Sequence, residues 1–260
     1  MFSWIAITNF GSSALLLPFA VAIAVCLAAG RAAHMALLWL FVFMTGLTLV
    51  VVTKVLFVGW GIGVHAIDFT GISGHAMLSS AIYPTAVYLL LRRRQLSVRM
   101  WCTVGACLIG LAVAMSRLAL DAHSVSEVVS GVMLGFLVCA SFIVLSRRFR
   151  APHFSGRILF IIFAVLFVTL YGQRLPSQKW IRAVALTLAG HSRPFIREVW
   201  QRTASQNYKG RLASRCRSSP DPCAFDGVPI TQPPGALRMP DPYGLPAVAG
   251  RKPSDTGREP

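Results

Sequence analysis

The sequence predicts an all-α, polytopic membrane helix bundle of about six transmembrane helices with a disordered C-terminal tail. Three observations carry this reading. The 260-residue chain is 55% hydrophobic and 13% charged, with a mean hydropathy of +0.63, whereas a soluble domain of this length carries about 25% charged residues. Its apolar residues fall in charge-free runs at regular intervals, each close to the roughly 20 residues that a helix needs to cross hydrocarbon. Arginines lie between these runs and not within them.

Taken in order, Met1–Asn9, with Phe2, Trp4 and Ile5, reads as an interfacial segment on the membrane surface. The first apolar run begins late and lacks a basic leader, so no cleaved signal peptide is expected. Spans are predicted at Ala14–Ala29, Met35–Thr53, His75–Leu91, Met100–Met115, Val125–Ser146 and Ile158–Gly172. The shorter ones are helped by flanking arginines, whose heads reach the interface. Residues Pro176–Arg202 form a basic amphipathic stretch with Trp180, Ile181, Val184, Leu188 and Trp200, suited to a membrane surface. From Thr203 the sequence is rich in Pro, Gly, Ser and Arg without periodicity, which predicts disorder. The expected domains are 1–172 in the membrane, 173–202 at the interface and 203–260 as the tail.

Orientation follows from Lys and Arg in short loops. Arg92, Arg93, Arg94 and Arg99 fill one loop; Arg147, Arg148, Arg150 and Arg157 fill another. Both are expected in the cytoplasm, with the turn holding Arg31. The N-terminus and segments 54–74 and 116–124 then face outward. Fourteen of the 25 Lys and Arg residues lie beyond Gly172; the loop rule would put them inside and the span count puts them outside. Long tails weigh little in that rule, so the span count is followed. A bacterial inner (cell) membrane protein is expected, with its functional face extracytoplasmic. The net charge of +16 implies no nucleic acid, because the basic residues punctuate apolar runs and do not line one stripe.

Cys26, Cys102, Cys107 and Cys139 fall within spans as small apolar fillers. Cys216 and Cys223 lie in the tail, where an extracytoplasmic location permits but does not require a disulfide. No Cys/His spacing suggests a metal.

Only three acidic residues occur in the first 197 positions: Asp68, Asp121 and Glu127. All lie in or beside the outward segments. Ionisable residues at membrane depth are expensive and mark function. Lys54 ends the second span, Ser73-Gly74-His75 opens the third, Ser116-Arg117 closes the fourth, and His123 with Glu127 opens the fifth. This set suits a phosphate. Lys54 and Arg117 neutralise a dianion, Arg117 with two donors. Ser73 stands at an N-cap position, leaving the N–H groups of Gly74, His75 and Ala76 for an anion, and Gly74 permits close approach. One histidine can attack phosphorus while the other protonates the leaving alkoxide. His123 and Glu127 are four apart on one helix face, so the carboxylate can hold one imidazole nitrogen and make the other the nucleophile. Ser124 and Glu127 also read as a capping box; the two roles are compatible.

Ser73-Gly74-His75, together with Ser116-Arg117, five residues, His123, three residues and Glu127, resembles the second and third signatures of the type 2 phosphatidic acid phosphatases (PAP2). This membrane family shares its site with vanadium-dependent haloperoxidases. The resemblance covers roughly residues 10–172. It implies a phosphohistidine on His123, His75 as general acid/base, and phosphate binding by Lys54, Ser73, Gly74 and Arg117, with no metal or other cofactor. Three departures stand out. The Arg-Pro of the first signature is missing: Gly61 and Ile62 occupy the expected offset, and no arginine lies between Lys54 and Arg92. Ile72 replaces the usual Pro, and Glu127 replaces Asp. His65 and Asp68 lie on that side of the pocket, and their role stays open.

The expected function is hydrolysis of a lipid phosphate monoester or pyrophosphate at the extracytoplasmic face. The alternatives are a catalytically silent lipid-phosphate-binding protein, favoured by the missing Arg-Pro, and a small-molecule transporter. A transporter would place polar residues or broken helices at the bilayer midplane.

Overall fold

The computed structural model describes residues 2–149, 156–173, 176–190, 193–197 and 199–201. The predicted tail 203–260 and the Cys216–Cys223 pair lie outside the described residues. Among these residues eight α-helices follow one another: α1 (Phe2–Phe10), α2 (Ser13–Ala29), α3 (Ala33–Trp60), α4 (Gly74–Leu90), α5 (Leu96–Ala119), α6 (Val125–Ser146), α7 (Gly156–Leu170) and α8 (Ser177–Ala189). The predicted spans correspond to α2 through α7. Among the described residues four stretches are long and apolar enough to cross a membrane: Trp4–Ala29, Ala33–Trp60, Leu96–Ala119 and Val125–Ser146. The protein is an α-helical integral membrane bundle.

The shorter α4 is its axis. Thirteen of its 17 residues are buried, Ser79, Ser80 and Thr85 among them. The outside is greasier than the inside: Phe41, Trp101 and Val168 are each more than 70% exposed, as expected where lipid is the solvent. Two of these buried hydroxyls bond to main-chain carbonyls, Ser79 Oγ to His75 O at 2.8 Å and Thr85 Oγ1 to Ala81 O at 2.7 Å. That satisfies groups which find no water in hydrocarbon.

Small residues let α4 touch its neighbours. A Cβ at Gly131 would lie 2.6 Å from the carbonyl oxygen of Ser73, and one at Gly135 would lie 2.5 Å from that of Met77. Glycines four apart on an apolar helix make such close approach possible. The contact is sealed by a main-chain hydrogen bond of 3.0 Å from Ser73 N to Glu127 O.

The N-terminal residues, expected at the interface, instead pack on the bundle. Helix α1 lies against α5; Thr8 is buried, and the Phe10 carbonyl accepts a 2.7 Å bond from Tyr83 Oη. Only one more residue separates Asn9 and Phe10 from the α2 cap, so α1 continues into the first span instead of spreading sideways. Helix α8 rests on α3, where Gly59 faces the Ala185 carbonyl.

The bundle has two chemically distinct ends. At one, Arg92 at the end of α4 donates to the Ser146 and Phe149 carbonyls, 3.2 Å each. At the other, the C-terminal part of α3, the N-terminus of α4, the C-terminus of α5 and the N-terminus of α6 converge. Residues 193–197 and 199–201 also lie at this second end: Phe195 N donates to Val58 O at 3.0 Å and Trp200 Nε1 to Gly61 O at 3.0 Å. The described part of the basic C-terminal region therefore lies at the end opposite the arginine loop contacts of Arg92.

Candidate functional site

Glu127 sits in the first turn of α6 with 1% of its side chain exposed. A buried carboxylate must be hydrogen-bonded on every side, and this one is. Its Oε2 accepts from His123 Nδ1 at 2.6 Å and from Ser124 N at 3.4 Å. Its Oε1 accepts from Thr70 N at 2.8 Å, from the Thr70 hydroxyl and from Arg197 Nη2. Ser124 Oγ in turn accepts from Glu127 N at 3.4 Å. The capping box and the grip on His123 thus coexist in one side chain.

His123 belongs to the short turn between α5 and α6. A carboxylate only accepts, so Nδ1 carries the proton and Nε2 keeps its lone pair. Desolvation holds the His123 pKa below the ordinary imidazole value. The hydrogen bond and charge of Glu127 raise it, while Lys54 and Arg117 lower it further. Such an imidazole is neutral near pH 7, the state a nucleophile needs.

A cavity of about 410 Å³ opens beside these groups, lined by Lys54, Arg117, His123 and Glu127 together with Arg182 of α8 and Arg197. Arg117 Nη1 donates to Thr8 Oγ1 at 3.0 Å, so α1 helps to aim the guanidinium. Gly71 arches the preceding loop over Lys54: a Cβ there would lie 3.1 Å from Lys54 Cγ, and its φ of +149° suits glycine. A second cavity of about 300 Å³, mostly apolar, is lined by Leu17 of α2, Leu47 and Val50 of α3, Leu78 of α4, and Trp180 and Ile181 of α8, among others. Lys54 and Gln178 border both cavities.

The four residues Lys54, Arg117, His123 and Glu127 are thus brought to one pocket. His75 and Gly74 line the apolar cavity next to it. Ser73 is the N-cap residue of α4 by position, but its side chain makes no capping bond. Its Oγ is fully buried and finds no hydrogen-bond partner among the described residues. A Cβ at Gly74 would meet only Val50, at 3.6 Å, so the protein's own packing leaves free space at that point.

No local pattern marked Thr70 or Arg197 as partners of Glu127, from which they lie 57 and 70 residues away. Asp68 and His65, whose roles were open, hold the C-terminal segment. Asp68 Oδ1 accepts from Gln201 Nε2 at 2.9 Å and pairs with Arg197 Nε at 3.7 Å. The His65 ring stacks on Trp200 with centroids 3.5 Å apart.

A polytopic helical membrane protein with a histidine, a carboxylate and cations gathered at one end defines the class. The family model of the PAP2 superfamily matches residues 65–151. An uncharacterized 22.5 kDa protein in the cps region of Klebsiella pneumoniae is 33% identical over 201 residues, covering 75% of this chain and 96% of the relative. No solved structure matches. The chain belongs to the PAP2 superfamily, whose members are typically phosphatases acting on phosphoric esters. The match begins after Lys54 and ends before α8, so Lys54, Arg182 and Arg197 enter the site from outside it.

Proposed function

We propose that the protein is a membrane lipid phosphatase that hydrolyses a lipid phosphate monoester or pyrophosphate through a phosphohistidine. The observation that carries the lipid part is the junction of a cationic pocket with an apolar cavity at Lys54 and Gln178. A phosphate head in the first and a hydrocarbon chain in the second would put the scissile P–O bond at that junction.

The residues then take complementary roles. Lys54 and Arg117 bind the phosphate oxygens, and charge builds there as the bond breaks, so they stabilise the transition state as well as the ground state. The Nε2 lone pair of His123 attacks phosphorus. A P–N bond forms, the P–O bond to the lipid breaks, and the leaving oxygen takes a proton from His75, which lines the cavity on the lipid side. Glu127 holds the Nδ1 proton and offsets the charge on the His123 ring. Water then attacks the phosphohistidine, giving up a proton to His75 and releasing inorganic phosphate. Ser73 and Gly74 offer the α4 N-terminus to the same anion. The loop arginines at the opposite end support an extracytoplasmic site in a bacterial inner membrane.

The deciding experiment is phosphate release from phosphatidate, phosphatidylglycerophosphate and polyprenyl pyrophosphate by the detergent-purified protein, beside His123→Ala. Release by the wild type that vanishes in the variant and is blocked by vanadate supports the reading. Wild type and variant equally inert, with lipid phosphate still bound, would instead establish a silent binding protein.

A further inference from the structure

Glu127 is gripped from two directions. Oε2 faces His123, and Oε1 faces Thr70 and the guanidinium of Arg197. Arg197 arrives from beyond α8 and is fixed there by its neighbours. Phe195 is tied to Val58. Trp200 bonds to Gly61, packs edge-on against Phe57 and stacks on His65. Gln201 bonds to Asp68. The Arg197 side chain, 27% exposed, also lines the phosphate pocket.

We infer that Arg197 is a positioning residue for His123, acting through Glu127 and supplying a guanidinium on the side of the pocket where the segment 55–91 has no arginine. The inference rests on the phosphatase reading for its catalytic meaning.

Two physical arguments support it. The first is geometric. Glutamate carries one more rotatable bond than the aspartate its signature resembles, so a carboxylate held only by His123 would swing. Thr70 and Arg197 clamp Oε1 and leave Oε2 facing Nδ1. The second is electrostatic. A buried carboxylate alone would draw a proton onto His123 and remove the Nε2 lone pair. The groups around His123 are Glu127 from α6, Lys54 from α3 and Arg117 from α5. Arg182 from α8 and Arg197 from the C-terminal segment line the same pocket, and Asp68 stands behind Arg197. Arg197 offsets Glu127 at the atom away from the ring, so the hydrogen bond to Nδ1 survives while its pull on the ring is reduced. Outer partners of this kind typically change activity by about 10–100-fold when removed.

The test uses the full chain in detergent micelles with Arg197→Gln and Arg197→Lys. The His123 ring is followed by histidine-selective NMR across pH, beside kcat and kcat/KM for phosphate release. In Arg197→Gln the His123 titration and the acid limb of kcat/KM are expected to move up by about one pH unit, with kcat down about 10–100-fold. Arg197→Lys keeps the charge and should leave the titration near wild type while losing part of kcat. If Arg197→Gln titrates and turns over like wild type, or if Arg197→Lys moves the titration as far as Arg197→Gln does, the inference is wrong. A wild type that releases no phosphate overturns the phosphatase reading alone, since the NMR titration still decides the link between Arg197 and His123.

Discussion

Replacing Glu127 by Gln tests the core of the site with almost no change of shape. The carboxylate accepts three donors at Oε1 and two at Oε2. An amide has only one oxygen to offer. Arg197 and the Thr70 N–H cannot accept, so the amide oxygen must face them and the NH2 must face His123. If His123 keeps its proton on Nδ1, two donors confront each other in a buried place, costing about 1–3 kcal/mol. The ring also loses a charged acceptor as it becomes positive during attack, about 1.5–3 kcal/mol more. If the ring escapes by moving its proton to Nε2, the nucleophilic lone pair is gone. The first route amounts to about 2.5–6 kcal/mol, or about two to four powers of ten in kcat at 1.36 kcal/mol per decade, and the second costs the nucleophile itself. Rapid-quench measurement of phosphate release under saturating substrate reads kcat directly, and nitrogen NMR of the ring reports the tautomer. A variant within threefold of wild-type kcat, or one that loses only in KM, would refute the reasoning.

Other outcomes are expected together. The pKa of His123 lies below the 6.5 of a free imidazole, and the proposed mechanism uses the neutral ring; kcat/KM should therefore hold as pH falls through 6.5 and drop only below it. By the same linkage the unfolded chain binds the proton more readily, so stability contributed by His123 is present above 6.5 and lost as pH falls toward the folded value, checked by thermal melts across pH. Gly131→Leu drives a side chain into the Ser73 carbonyl, 2.6 Å from the position of the new Cβ; the melting temperature should fall by several degrees, with phosphate release reduced. Thr8→Val removes the hydroxyl that aims Arg117 and should raise KM several-fold, read from initial rates, while the protein stays folded. Ending the chain after Gln201 should preserve activity, whereas ending it after Gly190 removes Arg197 and Trp200 and should lower kcat at least tenfold.

The helices were legible because lipid imposes a simple grammar: apolar runs without charge, and arginines between them. Length was the weak point. Helices α4 and α7 have only 17 and 15 residues, and α4 is short and hydroxyl-rich because its neighbours, not lipid, surround it. The His123–Glu127 pair was legible because a spacing of four on a helix is a local geometric fact. Thr70 and Arg197 were not, since each reaches Glu127 across more than fifty residues, and no local pattern encodes such a meeting. The basic stretch after Gly172 has the amphipathic composition of a surface helix, which hides that Arg197 turns back to a buried acid. Gly131 and Gly135 carry a readable signal, small residues four apart in an apolar helix, once that helix is known to face a partner. The packing of α1 has no such signal: its apolar residues suit an interface and a bundle equally.

Lys54 stands where the cationic pocket and the apolar cavity meet, and under the proposed lipid-phosphatase reading this placement would govern traffic. The two products of that hydrolysis differ completely in the solvent they seek. The dephosphorylated lipid would leave by the apolar cavity, while phosphate would depart on the side of Arg182 and Arg197. Neither would have to wait for the other or retrace the path of the incoming substrate. An occupied apolar side and an emptying polar side could then coexist, so a fresh lipid could take its place while the previous phosphoryl group was still leaving the histidine.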